Sequence, residues 1–246
     1  MSEPNLIDVL QKHRDDFHPV VPFDAGKDKL YAFDFTAQNK ELSTEQIADT
    51  ERFANYINNT LRAKGCRYGI GGYNEHRTLY ARSKHFDNQA GALSGQGGEA
   101  GLAETEPRRL HLGVDIWGLA GTKVFSPLDG ILHSYAFNNN DSDYGATLIM
   151  TYNLDGVGFH ILYGHLSLNS LKNLYEGQPV SKGEVIAEFG MRFENGNWPP
   201  HLHFQLIRDM QGWKGDYPGV CKFSERATWL DNCPDADLVL QMNRYM

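Results

Sequence analysis

PPHLHFQLI, residues 199–207, is the stretch from which the rest of this chain is best read. Side chains two apart on a β-strand leave from the same face, so the alternation predicts that Leu202 and Phe204 bury while His201 and His203 point together to the other side. Pro199 and Pro200 suit an abrupt strand start, where a missing N–H is tolerated. An isolated H-x-H pair also fits a surface pair on a half-exposed strand, so its meaning depends on its surroundings.

Those surroundings read as β. Short apolar runs (TKVFSPL, GILHSYAF, ATLIMTY, GFHILYG, EVIAEFG and HLHFQLI) alternate with turn chemistry such as LDG, NNNDSDYG and SKGE, which predicts a sandwich or barrel-like sheet. NNNDSDYG carries Asp141 and Asp143 but lacks the ligand ladder of an EF-hand and reads as a plain turn. The first hundred residues differ. Asn5 to Arg14 has helical spacing, KLYAFDFTA reads as a strand, and STEQIADTERFANYINNTLRAKG reads as a helix. Ser43 caps that helix with Gln46 at the capping-box position, Gly65 follows its end, and Ile47, Phe53, Ala54, Ile57 and Leu61 recur on one face. CRYGIGGYNEHRTLYARS reads as a glycine-rich turn followed by a strand, and its Gly69–Gly72 cluster lacks the ending of a phosphate loop.

If YNEHRTLYARS is a strand, Tyr73, Glu75 and Arg77 share one face. We expect that face to build a wall of a substrate cleft, with Arg77 offered to a substrate carboxylate. The competing expectation is a layer over the sheet edge with Glu75 and Arg77 paired in solvent. DNQAGALSGQGGEAGLAETEP has almost nothing to bury and reads as a flexible loop. The expected organisation is an α+β N-terminal region (residues 1–86), a Gly-rich loop (87–106) and a mainly β, antiparallel domain (107–246).

Composition narrows the function. The 246 residues, 41% hydrophobic and 12% aromatic, can bury a sizeable core, and a net charge of −8 with no basic patch argues against nucleic-acid and anionic-membrane partners. The amino terminus, MSEPNLIDVLQKHRDD, has no basic segment followed by an apolar one, and no run is long enough to span a bilayer. The expectation is therefore a cytoplasmic protein, unless an unconventional export route serves it. Cys66, Cys221 and Cys233 have no C-x-x-C spacing and are read as reduced thiols.

Two further segments bear on the histidine pair. RRLHLGVDIW places His111 and Asp115 four apart around Gly113, and GFHILYGHLS ends a strand with His165. In a straight strand His111 and Asp115 would lie about 13 Å apart, so Gly113 is expected to bend the chain until they converge. Imidazole, carboxylate and imidazole form a three-ligand zinc set with an open fourth position, completed by one histidine of the pair. His165 and the remaining histidine are then free for proton chemistry. With no H-E-x-x-H glutamate present, the base has to be an unligated histidine. His13, His18, His76, His85, His133 and His160 have no partner at ligand spacing and are read as ordinary polar residues.

HLGVD, LYGHL and PHLHF, in that order and with these gaps, resemble the lysostaphin-type zinc endopeptidases, which cut peptide cross-links of bacterial cell walls. GTKVFSPLDGIL and EGQPVSKGEVIAEFG are similar to that family's sheet, so the resemblance covers about residues 107–207. It implies a duplicated-hybrid-motif-like antiparallel fold, Zn2+ held by His111, Asp115 and His203, and His165 and His201 as the catalytic pair. It also implies a peptide or peptidoglycan fragment as substrate. The whole chain further resembles a peptidase-like segment of large bacterial proteins fused to aminotransferase-like domains. Two departures stand out. Trp198 and Pro199 occupy the approach to PHLHF and place Trp198 at the cleft rim, and Gln205 replaces a common Glu. The rival readings are a lipoyl-type carrier, which would not need the His111/Asp115 pair, and a peptidase relic that binds without cutting.

Overall fold

The computed structural model describes residues 5–87 and 106–246. The Gly-rich loop expected over 87–106 lies, apart from its two ends, outside the described residues. The N-terminal region comprises helix α1 (Leu6–Lys12), strand β1 (Leu30–Phe33), helices α2 (Thr44–Ala48) and α3 (Thr50–Lys64), and strand β2 (Tyr68–Gly71). Ten strands follow: β3 (Leu110–His111), β4 (Val114–Trp117), β5 (Lys123–Phe125), β6 (Gly130–Asn138), β7 (Gly145–Leu154), β8 (Val157–Leu166), β9 (Pro179–Val180), β10 (Val185–Glu188), β11 (His201–Ile207) and β12 (Val220–Cys221). Two short helices, α4 (Arg226–Asn232) and α5 (Asp237–Leu240), come last. They have no counterpart in the sequence reading, because seven and four residues are too few to display helical periodicity.

Eight strands form one sheet in the order β1-β2-β4-β11-β8-β7-β6-β9, antiparallel except for the parallel β1–β2 pair. Strands β5 with β10 and β3 with β12 make two small antiparallel pairs. The mainly β, antiparallel expectation holds, and the N-terminal strands continue the same sheet through β2 against β4. Strand β11 lies at its centre and is buried along its whole length. Leu202, Phe204 and Leu206 enter the main core with Val114, Ile116, Ile161 and Tyr163. The opposite face, carrying His201, His203 and Gln205, is equally buried, because other parts of the chain fold over it.

Part of that cover is the N-terminal region. Ser43 and Gln46 form the expected capping box, but Asp49 breaks the single expected helix in two by accepting from Glu51 N and Arg52 N as a second N-cap. Gly65 ends α3 in the left-handed conformation at φ 62°, where a Cβ would be strained. Phe53, Ile57 and Leu61 of α3 pack with Phe33, Phe35 and Trp117, each burial worth about 1.5–3 kcal/mol. The three cysteines are free thiols, as expected.

One expectation fails. Residues 73–77 are not a strand: the chain turns at Asn74, φ 54°, and continues into a 3-10 helix at Thr78–Arg82. Period-2 spacing over a few residues cannot distinguish a strand from a turn whose backbone groups are taken by another segment. Here Asn74 N donates to His111 O, His111 N to Glu75 O and Arg77 N to Arg109 O.

On the outer face His160 of β8 donates to or accepts from Thr151 Oγ1 at 2.9 Å and sits 5.1 Å, ring to ring, from His133. Burial, then His133, push its pKa from 6.5 down to about 4. The unfolded chain therefore binds more protons than the folded one between those values, so stability is fully present above about pH 6.5 and falls as the pH drops toward 4. Comparing wild type with His160→Gln by chemical denaturation, we expect a stability difference that is flat above pH 6.5 and moves in favour of the variant below it. A pH-independent difference would contradict this.

Candidate active site

His111 ends β3, Asp115 lies in β4 and His203 in β11, and the pairing of His203 with Asp115 across β4 and β11 places two of these residues side by side. His111 joins them because the chain bends at Gly113 between two separate strand pairs. His111 Nε2 is 2.9 Å from His203 Nδ1 and 3.3 Å from Asp115 Oδ1, and His203 Nδ1 is 3.1 Å from the same oxygen. The four-residue separation that would span about 13 Å in a straight strand has thus collapsed to ligand spacing. All three residues are buried.

The partners behind each ring show what these atoms present to one another. His111 Nδ1 lies 2.9 Å from the Gly72 carbonyl, which can only accept, so the proton sits on Nδ1 and Nε2 offers a lone pair. Gln205 donates its amide to Pro218 O and Cys233 Sγ, so its Oε1 faces His203 Nε2 at 2.9 Å and accepts from it. His203 Nδ1 therefore also offers a lone pair. Burial would raise the Asp115 carboxyl, but His111 and Arg77 hold it well below its ordinary range, while burial and Arg77 push His111 down to about 3. Three lone pairs about 3 Å apart with no proton among them suit a cation. Tetrahedral zinc with bonds near 2.0–2.1 Å sets ligand atoms about 3.3 Å apart.

His165 and His201 line the same cleft. His165 has φ 62°, a conformation few non-glycine residues adopt. It falls where the β7–β8 register shifts between Ala146 and Leu148, and its N–H donates to Tyr144 O. Such a bulge re-aims a side chain. His165 Nδ1 donates to Asn195 O and His201 Nδ1 to Pro199 O, both at 2.8 Å. Each Nε2 is left as a proton acceptor without a hydrogen-bond partner among the described residues. The rings lie 4.1 Å apart, and His201 stacks on Trp117 at 3.9 Å. Burial keeps both neutral, His165 well below 6.5 and His201 at about 4.

The residues expected to bind substrate are placed differently. Arg77 is 1% exposed and donates to Asp115 Oδ2 at 2.5 Å, to Glu75 Oε2 at 2.6 Å and to Gly72 O at 3.1 Å. It lines the cleft, but its donors are taken by Asp115, Glu75 and Gly72 O rather than offered to a substrate carboxylate. The Glu75–Arg77 pair exists, but buried instead of in solvent. Tyr73 turns away, its hydroxyl donating to Cys233 O. Trp198 is 3% exposed and does line the cleft, under the guanidinium of Arg82.

The cleft, about 100 Å³, is walled by Leu79, Tyr80, His85 and Phe86 on one side and by Tyr144, Trp213 and Tyr217 on another. The N-terminal region therefore lines the cleft, with Arg77, Leu79 and Tyr80 from the expected YNEHRTLYARS segment and His85 and Phe86 just beyond it. Asp143, Asp216 and Arg108 also line it, with burial and Asp143 pushing Asp216 up to about 6. From the sequence none of these is assigned to the site, nor Gly72 or Asn195; Asp143 reads there as part of a plain turn. Gln205 alone carried a usable signal, since it follows His201 and His203 at strand spacing.

Gly113 has a second role beside the bend. A Cβ there would lie 2.7 Å from His203 Cε1 and 2.8 Å from Phe204 O, so Gly113→Ala must displace the His203 ring or the strand. We expect it to cost about 1–3 kcal/mol and to weaken zinc binding, measured by thermal unfolding and metal titration. Wild-type values for both would remove this role.

Residues 109–215 match the model of peptidase family M23. Among solved structures, the chain is similar to the catalytic domain of the antimicrobial peptidase lysostaphin from Staphylococcus simulans, at 25% identity over 49% of this chain and 80% of that one, with a TM-score of 0.35. It is also similar to a zinc-containing peptidase from Vibrio cholerae, at 28% identity over 45% of this chain, with a TM-score of 0.33; the match spans 32% of that longer chain. No curated protein matches. The bent HLGVD segment and the central HLHFQ strand both fall within residues 109–215, the part of the chain that is similar to peptidase family M23.

Proposed function

We propose that this protein is a zinc-dependent endopeptidase that hydrolyses a peptide bond in peptidoglycan cross-links or wall-derived peptides. The observation that carries the reading is the convergence of three unprotonated donor atoms, His111 Nε2, Asp115 Oδ1 and His203 Nδ1, beside two histidines whose Nε2 atoms are free in the same cleft. The lysostaphin likeness supports the substrate class. A carrier has no need of this arrangement, and a binding relic that keeps zinc has no need of the two unligated histidines beside it.

His111, Asp115 and His203 would hold the ion. Zinc bound there would supply Lewis-acid polarisation of a peptide carbonyl and acidify water at neutral pH. The chain's own residues do the rest. With its Nδ1–H tied to a backbone carbonyl, each of His165 and His201 can take up a proton only at Nε2. The first to do so becomes the group that returns it to the leaving amine, and a ring protonated at Nε2 can donate to a developing oxyanion. Their buried, neutral state keeps both ready to accept. Trp117 under His201 and the Asn195 turn behind His165 hold the rings in place. Tyr80, Phe86, Trp198 and Trp213 form an apolar lining that excludes water from the reacting bond.

Purified protein should take up about one zinc per chain, and Asp115→Ala should lose it, as read by elemental analysis after dialysis. His165→Ala and His201→Ala should keep zinc while turnover falls by about 10² or more. A panel of muropeptides and glycine- or D-alanine-containing peptides, followed by mass spectrometry, identifies the bond. Zinc uptake without cleavage of any member would favour the binding relic.

A further inference from the structure

Residues 72–77 lie outside the segment that matches the peptidase family, yet they contact two of the three candidate metal ligands. The Gly72 carbonyl accepts from His111 Nδ1 at 2.9 Å and from Arg77 Nη2 at 3.1 Å. Arg77 Nη1 donates to Asp115 Oδ2 at 2.5 Å, which leaves Oδ1 toward the two histidines. One turn thereby orients both His111 and Asp115, while Gln205 orients His203 from within the family segment.

The turn is held in register by backbone pairing. Gly71 of β2 lies opposite Asp115 of β4, and the three backbone bonds between residues 74–77 and 109–111 continue the contact. Gly71 has to be glycine-sized here, since a Cβ would come 2.8 Å from Arg77 Nη2. A guanidinium beside a metal site would by itself repel the ion. Glu75, 2.6 Å from Arg77 Nε, offsets part of that repulsion, and the hydrogen bond to Asp115 Oδ2 orients the carboxylate. Tyr80 adds a fourth contact, its hydroxyl lying 3.2 Å from Arg77 Nη1.

We propose that Arg77, with the Gly72 carbonyl, is a positioning residue for the metal centre, so that the N-terminal region supplies part of the metal site. Outer partners of metal ligands fix ligand orientation, and their loss commonly weakens binding by about 10- to 100-fold. This rests on the zinc reading above.

The full-length chain, stripped of metal, is titrated with zinc against a competing chelator, and with Co2+ while visible absorption is followed. Arg77→Lys keeps the charge but cannot reach Asp115, Glu75 and Gly72 at once. Glu75→Gln/Arg77→Gln removes both charges, so no buried charge is left over in the Glu75–Arg77 pair. We expect both to bind zinc about 10- to 100-fold more weakly and to give an altered Co2+ spectrum, which a merely structural role would not produce. In the wild type, where folding is not in question, zinc should shift the Arg77 Nε–H signal in 15N NMR. Wild-type affinity and an unchanged Co2+ spectrum in either folded variant, or an unmoved Arg77 signal, overturn the proposal while the metal site stands. A wild-type chain that takes up neither metal overturns both.

Discussion

Everything about the site depends on keeping three buried donor atoms about 3 Å apart with no proton between them. Two neutral imidazoles and a carboxylate at that spacing repel one another through their lone pairs, and a buried carboxylate also loses its hydration, at a cost of several kcal/mol unless it is paired. The fold meets both costs from behind the ligands. Gly72 O and Gln205 Oε1 take the imidazole protons, and Arg77 compensates the charge on Asp115. The ligands are thereby preorganised for a cation, and the tautomers follow from hydrogen bonds that face away from it.

Strand geometry carries the same logic into the cleft. Alternation along β11 aligns His201, His203 and Gln205 on one face, so the proposed catalyst, the proposed ligand and its supporting residue share one rigid element. His165 reaches them only because β8 bulges where it leaves the sheet. The left-handed backbone there costs about 1–2 kcal/mol, and the strand holds it through Tyr144 O, the Gly190 N–H and the Asn195 carbonyl. Strain at this position buys the one orientation that puts both free Nε2 atoms on the same cavity.

The cleft itself belongs to the whole chain. Its aromatic lining comes from Tyr80 and Phe86 of the N-terminal region, from Trp198 before β11 and from Trp213 and Tyr217 after it. Burial, and after it the charge of Asp143, raise the Asp216 carboxyl to about 6. Asp143, Asp216 and Arg108 thus line the cleft together, a polar counterpart to its apolar wall.

Local physics made much of this legible in the residues alone. The strands announced themselves by period-2 alternation, HLHFQLI with the same limits as β11; the cap at Ser43 and the stop at Gly65 followed from side-chain and backbone chemistry. The five candidate site residues could be named because zinc accepts few donor types and because their motifs resemble those of the lysostaphin-type endopeptidases, the resemblance alone choosing His203 over His201 as candidate ligand. What the sequence could not determine is anything that rests on contact between distant segments. Tyr73, Glu75 and Arg77 looked alike at strand spacing, yet one turns to Cys233, one bonds a neighbouring backbone and one reaches Asp115. The split of the long helix depended on whether Asp49 would cap, and the register of β2 on β4 brought Gly72 and Arg77 beneath the ligands. Periodicity reports which way a side chain leaves its own segment; only the packing of one segment on another decides what it meets.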